Sequence, residues 1–160
     1  MKAQLRSEYS DADDSPGLML WRVTNSWQSA QRAALQPFGL THVQFVLLAS
    51  LTWLQTDQPV TQRAVADHAG TDPMMTSQVL RALAAKGLIS RRPHPTDARA
   101  RALMVTKSGA GLANAAVAAV EETDRRFFAP LGAGQRDFTG MLSRLASRQP
   151  ASAGESAAGN

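Results

Sequence analysis

The punctuation between residues 61 and 106 constrains this chain more than any other feature. Thr61 is a helix N-cap, and the short helix it opens stops at Ala69-Gly70. Two residues later, Asp72-Pro73 restarts a helix with a capping side chain and a proline at the first helical position. That helix runs to Lys86-Gly87, where glycine suits the left-handed C-cap. Leu88-Ile89-Ser90-Arg91-Arg92 then reads as a strand, Pro93 to Asp97 as a turn, and Ala102 to Thr106 as the returning strand. Two helices joined by a tight turn and followed by a two-stranded hairpin describe a winged helix-turn-helix.

The flanking sequence is helical. Residues 1–14 are polar and acidic and read as a flexible N-terminus. Ser15-Pro16 opens a first helix carrying Leu18, Leu20, Trp21, Val23, Trp27, Ala30, Ala34 and Leu35, which Pro37 and Gly39 stop near residue 36. Thr41 with Gln44 forms a capping box for a second helix through Leu54. Gln58-Pro59-Val60 is a short extended link. A long alanine-rich helix is expected from Lys107 to Phe128, broken at Pro130, and a last one from Gly134 to Arg148. The tail 149–160 is small and polar and reads as disordered. The fold expected is therefore mainly α with a small β-hairpin wing. A DNA-binding lobe would occupy about 58–106, between dimerisation helices at about 15–36 and 107–148. Leu112, Ala116, Ala119, Val120 and Phe127 make an apolar stripe too extensive for one small lobe, so a two-fold interface is expected there.

Composition narrows the function. A chain of 160 residues buries roughly 68–70% of its unfolded surface and supports its own core. With no cysteine there is no disulfide scaffold, thiolate metal site, cysteine nucleophile or thiol redox switch. The longest apolar run, ten residues at 45–54, is too short to span a bilayer, and the N-terminus lacks a signal-like apolar stretch. A cytoplasmic protein with no membrane partner is expected. His42, His68 and His94 are scattered, so no metal is expected. The glycine-rich stretches at 109–111 and 131–134 lack a phosphate-loop pattern, and no nucleophile–base order or paired carboxylates stand out. Neither a cofactor nor an enzyme is indicated.

The net charge of +4 is unevenly placed. Residues 81–107 hold seven Lys and Arg against Asp97 alone, a local +6, while the rest of the chain sums to −2. Such a block suits a polyanion, although charge by itself also fits a solvated surface. On residues 73–86, Val79, Leu80 and Leu83 form an inner stripe, and Met74, Ser77, Gln78 and Arg81 share the opposite face. Gln78 suits adenine, Ser77 a base or phosphate, and Arg81 a phosphate or guanine, while the helix N-terminus offers amides and a positive dipole end to phosphate. Arg91 and Arg92 add charge on the first wing strand. Arg99 and Arg101, beside the hairpin tip, suit a narrow minor groove, and Asp97 is expected to pair with an arginine and set the hairpin's shape. Double-stranded DNA is the partner these residues point to.

The stretch from Thr61 to Leu112, TQRAVADHAGTDPMMTSQVLRALAAKGLISRRPHPTDARARALMVTKSGAGL, resembles the MarR family of bacterial winged-helix regulators. The matching motifs are GLTHVQFVLLASL, VLRALAAKGLISRRPHP and Asp97-x-Arg99 followed by Leu103 and Thr106. The resemblance extends over about residues 15–148. It implies a homodimer with interlocked terminal helices, a repressor on a pseudo-palindromic operator, and release by a small ligand. It also maps Arg99 onto the minor-groove arginine of the wing and Gln78 onto a base-reading position. The cysteine of oxidant-sensing members is absent, so a reversible ligand such as a small apolar or aromatic acid is expected. Trp21, His42, Phe45 and Trp53 are the candidate pocket, with core and dimer packing as the other reading of the aromatics. A constitutive DNA-binding or protein-interaction module with the same fold and no sensing stands as the alternative function.

Overall fold

The computed structural model describes residues 6–56, 59–96 and 100–147, and the chain divides into two compact units, Met1–Thr123 and Asp124–Asn160. In the first unit, α1 (Pro16–Leu35) starts where the Ser15 hydroxyl accepts from the Leu18 amide at 3.3 Å. Ala12–Asp14, read from sequence as part of a flexible N-terminus, instead form a 3-10 turn capped by Asp11, and Asp13 pairs with Arg22 of α1. The Thr41–Gln44 capping box opens α2 (His42–Leu54), with both reciprocal bonds at 3.2 Å. Phe45, Leu47, Leu48 and Leu51 of α2 are buried, which makes this helix the centre of the core. Each such side chain contributes roughly 1.5–3 kcal/mol on burial.

β1 (Val60–Thr61) leads directly into α3 (Gln62–Ala69), capped by the Thr61 hydroxyl at 3.1 Å from the Ala64 amide. Gly70, at φ +64°, ends α3 in the left-handed conformation, and α4 (Pro73–Ala85) follows after Asp72. β2 (Ile89–Pro93) and β3 (Arg101–Val105) form the wing. Val65, Leu80, Leu83 and Leu103 are fully buried, so α3, α4 and the wing all close on α2.

The sheet corrects the sequence reading in two ways. It has three antiparallel strands in the order β1-β3-β2, because Val60 pairs with Leu103 and Thr61 with Ala102. Val60, read as the end of an extended link, thus belongs to a strand with Thr61 that is too short to carry a period of its own. Both wing strands also sit one residue off the expected bounds. Leu88 completes the end of α4, donating its amide to Leu83 at 3.0 Å, so β2 starts at Ile89. Thr106 leaves β3 to cap the next helix, accepting from the Gly109 amide at 3.0 Å.

That helix, α5 (Lys107–Phe128), begins in close contact with the end of α4. The Thr106 hydroxyl lies 2.8 Å from the Gly87 carbonyl, and the Thr106 amide donates to the Leu88 carbonyl at 3.0 Å. Gly109 is buried against the same carbonyl, and a Cβ there would lie 1.9 Å from it. In the second unit, Phe128 packs against Phe127 and Phe138, with ring centroids 5.2 and 5.9 Å apart. After a 3-10 stretch at Ala129–Gly134, α6 (Gln135–Ala146) leaves Met141, Leu142 and Leu145 exposed.

Two glycines of α5 should respond oppositely to alanine. Gly109→Ala must displace backbone and should cost about 1–3 kcal/mol. A Cβ at Gly111 would meet no atom within 4 Å, so Gly111→Ala should stabilise by roughly 0.5–1 kcal/mol. Urea unfolding of both variants measures the two signs.

Candidate nucleic-acid interface

α4 presents the face expected of it. Leu80 and Leu83 are fully buried, Met74, Gln78 and Arg81 are exposed, and Ser77 is half-buried. Val79, assigned to the inner stripe, packs against the core while half-buried. Thr76 does not stand out in the sequence, yet it is fully buried at the turn. Its hydroxyl donates to the Asp72 carbonyl at 2.7 Å and lies 2.7 Å from the Thr71 hydroxyl, which supplies the other proton. A small hydroxyl among apolar neighbours gives no periodic signal, but the Thr71–Thr76 pair joins the turn after α3 to the first turn of α4.

The start of α4 differs from expectation. One carboxylate oxygen of Asp72 accepts from the amides of Met74 and Met75 at 2.9 and 3.0 Å. Those amides are occupied and carry a negative charge beside them, so this helix end does not offer them to a phosphate.

The cations gather about two turns further on. Along β2, alternation puts Arg91 on the face of Ile89 and opposite Leu103, whereas Arg92, opposite Ala102, points to the other face. Arg91 is half-buried, and its Nε is buried without a hydrogen-bond partner. Burial, then the charges of Arg81 on α4 and Arg101 on β3, hold the Arg91 guanidinium below its ordinary pKa. Arg81 of α4 and Arg101 of β3 are thus within electrostatic reach of Arg91 on β2. Among the described residues, no carboxylate pairs with any of them. Lys86, counted in the same basic block, has a different role. Its ammonium donates to the Gly39 carbonyl at 2.8 Å and to the Gln44 side chain at 3.1 Å, tying the end of α4 to the start of α2. At the other end of α2, the Gln55 side chain accepts from the Val105 amide at 3.1 Å, which ties down the wing. These three bonds join residues 42 to 50 positions apart, and no local pattern announces them.

Towards its tip the wing is held by the His94 amide, which donates to the Ala100 carbonyl at 3.2 Å. Asp97 and Arg99 lie outside the described residues. The candidate ligand residues are dispersed in burial. Phe45 belongs to the core, while Trp21 and Trp53 are 67% and 83% exposed. The contact formed is between His42 and Trp27, edge-to-face with ring centroids 5.0 Å apart.

The MarR family model matches residues 40–100, from the turn before α2 into the wing. Over 124 residues the chain is 43% identical to the uncharacterized HTH-type transcriptional regulator YdcH of Bacillus subtilis (strain 168), covering 77% of this chain and 84% of that protein. The chain belongs to the MarR family. Over 138 residues it is 36% identical to the HTH-type transcriptional repressor Rv2887 of Mycobacterium tuberculosis, covering 85% of this chain and 97% of that one. Rv2887 has been solved with salicylic acid and with DNA, each at a TM-score of 0.64 to this chain and covering 84% of it. A MarR-family regulator from Rhodococcus sp. RHA1, 27% identical, superposes with a TM-score of 0.77 over 87% of this chain and 97% of its own. This MarR-family chain is thus a transcriptional regulator with the winged helix-turn-helix fold. Among its described residues no group of His, Asp or Glu is placed to hold a metal, and no single helix is long and apolar enough to cross a membrane.

The Asp72 cap separates stability from charge. Asp72→Ala should lose about 1 kcal/mol of folding stability, measured by denaturant unfolding. Asp72→Asn keeps a capping oxygen and removes the carboxylate, so it should stay close to the parent in stability. In an anisotropy titration it should bind any duplex more tightly than the parent does.

Proposed function

We propose that this regulator is a homodimeric repressor that reads a pseudo-palindromic operator with α4 and the wing and is released by a small apolar or aromatic acid. The observation that carries the reading is the convergence of Arg81, Arg91 and Arg101 beside an uncharged reading face. Like charges held this close raise the energy of the free protein, and a polyanion laid across them removes the repulsion. Gln78 then reads a base edge, Ser77 and Arg92 support the backbone, and Arg99 of the wing enters the minor groove, with Asp97 fixing the hairpin. Residues 58–106 form the reading lobe, and 15–36 with 107–148 the dimerisation helices. Support for dimerisation comes from Leu20 and Trp21 of α1, 53% and 67% exposed, and from Met141 and Leu145 of α6, 50% and 59% exposed. Rv2887, solved with DNA and with salicylic acid, supports both the partner and the chemistry of the ligand. The pocket proposed for it draws on Trp21, His42, Phe45 and Trp53.

The test begins with footprinting on DNA flanking the protein's own coding region. Affinity for the protected duplex should fall steeply with salt, with a slope of about −0.9 per phosphate contact. Arg101→Ala should shallow that slope by about one contact on all sequences, and Gln78→Ala should relax preference at one position by roughly 1–3 kcal/mol. Light scattering should give a dimer at micromolar concentration, with recognition helices about 34–36 Å apart on DNA. Salicylate-like acids should weaken operator binding about 5–150-fold, and operator should weaken their binding equally. Equal affinity with and without operator would remove a compound as inducer. A monomer on DNA, or a flat salt dependence, would overturn the reading.

A further inference from the structure

Met74 is the least expected side chain on the reading face. It is the second residue of α4 and is 75% exposed, and Met75 beside it is 38% exposed. An unbranched apolar side chain gains nothing from water at this place, where a polar residue serves the helix equally well. The amides of both methionines are already satisfied by Asp72, whose charge turns phosphate away from this end of the helix. The cations lie further along the same face, at Arg81, seven residues on, with Arg91 and Arg101 of the wing. Phosphates are therefore drawn to the middle of α4 and the wing, and the first turn of α4 is left over base edges. In the major groove, the one apolar group among those edges is the 5-methyl of thymine.

We infer that Met74 reads the 5-methyl group of a thymine in each half-site, so that the operator is specified there by an apolar contact rather than a hydrogen bond. The inference rests on the DNA-reading function proposed above. Gln78 lies one turn further along the same face. Four residues of helix rise about 6 Å, close to two base-pair steps. The thymine therefore falls within about two base pairs of the base that Gln78 reads, and Met75 shields the contact from water.

The probe is a duplex selected from a randomised pool by the full chain, in which each thymine is replaced in turn by deoxyuridine, which lacks only the methyl. At one thymine per half-site the parent protein should lose about fourfold in affinity, the value of one buried methyl, and about sixteenfold with both half-sites substituted. Met74→Ala, a change at an exposed position that leaves the core intact, should bind thymine and deoxyuridine duplexes alike at that site. Met74→Leu should keep the discrimination. A duplex bound with the expected salt dependence but indifferent to every deoxyuridine overturns the methyl contact alone. So does a penalty that persists undiminished in Met74→Ala, since it then belongs to the DNA or to another residue. A selection that enriches no duplex overturns the DNA-reading function and this inference with it.

Discussion

The carbonyl of Leu88 is the point on which the reading head depends. The end of α4, the start of β2, the end of β3 and the start of α5 all meet there. Thr106 donates its amide to this oxygen, its hydroxyl bridges to Gly87, and Gly109 brings α5 against it more closely than any side chain permits. Hydrogen bonds of this kind contribute only about 0.5–1.5 kcal/mol each to stability. Their greater effect is geometric, because they fix the wing against the recognition helix with no intervening loop to bend. β1 adds a third strand on the outer side of β3, so β3 is paired along both edges at Ala102 and Leu103.

Charge within this frame follows position rather than sequence. Lys86 and Arg91 belong to one basic block, yet one serves as a tether and the other has no carboxylate partner among the described residues. Lys86 reaches two acceptors at the start of α2, which satisfies its ammonium within the chain. Arg91 faces the core side of the sheet, where Leu103 and Ile89 exclude water and its charged neighbours are other arginines. Among the described residues no carboxylate pairs with it, and the field of such a group reaches about 8–10 Å at physiological salt.

Much of this architecture is legible in sequence wherever the cause is local. Ser15, Thr41, Thr61 and Asp72 cap the helices that their positions assign to them, and Gly70 and Gly87 adopt the positive φ that a helix end asks of glycine. The outer face of α4 follows from helical spacing alone. What escapes depends on partners distant in the chain. β1 exists because Val60 meets Leu103, Lys86 is held by Gly39 and Gln44, and the wing is held by Gln55 across 50 residues. The aromatics show the same limit. Spacing groups Trp21, Phe45 and Trp53, but their exposures differ because only Phe45 points into the core of one chain. Asp72 is legible as a cap, and the same residue removes the free amides that a helix end otherwise offers.

These ties also bear on how a ligand can act under the proposed function. Within one chain, α4 and the wing are joined to opposite ends of α2 and to each other at Leu88. Changing their mutual angle would break several bonds at once, so the reading head moves as a unit with α2. α1 meets α2 through the edge of Trp27 on His42, and its Leu35 is fully buried in the same core cluster as Phe45, Leu47, Leu48 and Leu51. A ligand alters DNA affinity only if it binds two arrangements differently. Under the proposed function, the arrangement left for a ligand to change is that of one whole reading head relative to the second copy's. Such a motion changes the spacing of two recognition helices while leaving the contacts of each with its half-site intact. A ligand of this kind weakens binding to the paired site far more than binding to an isolated half-site.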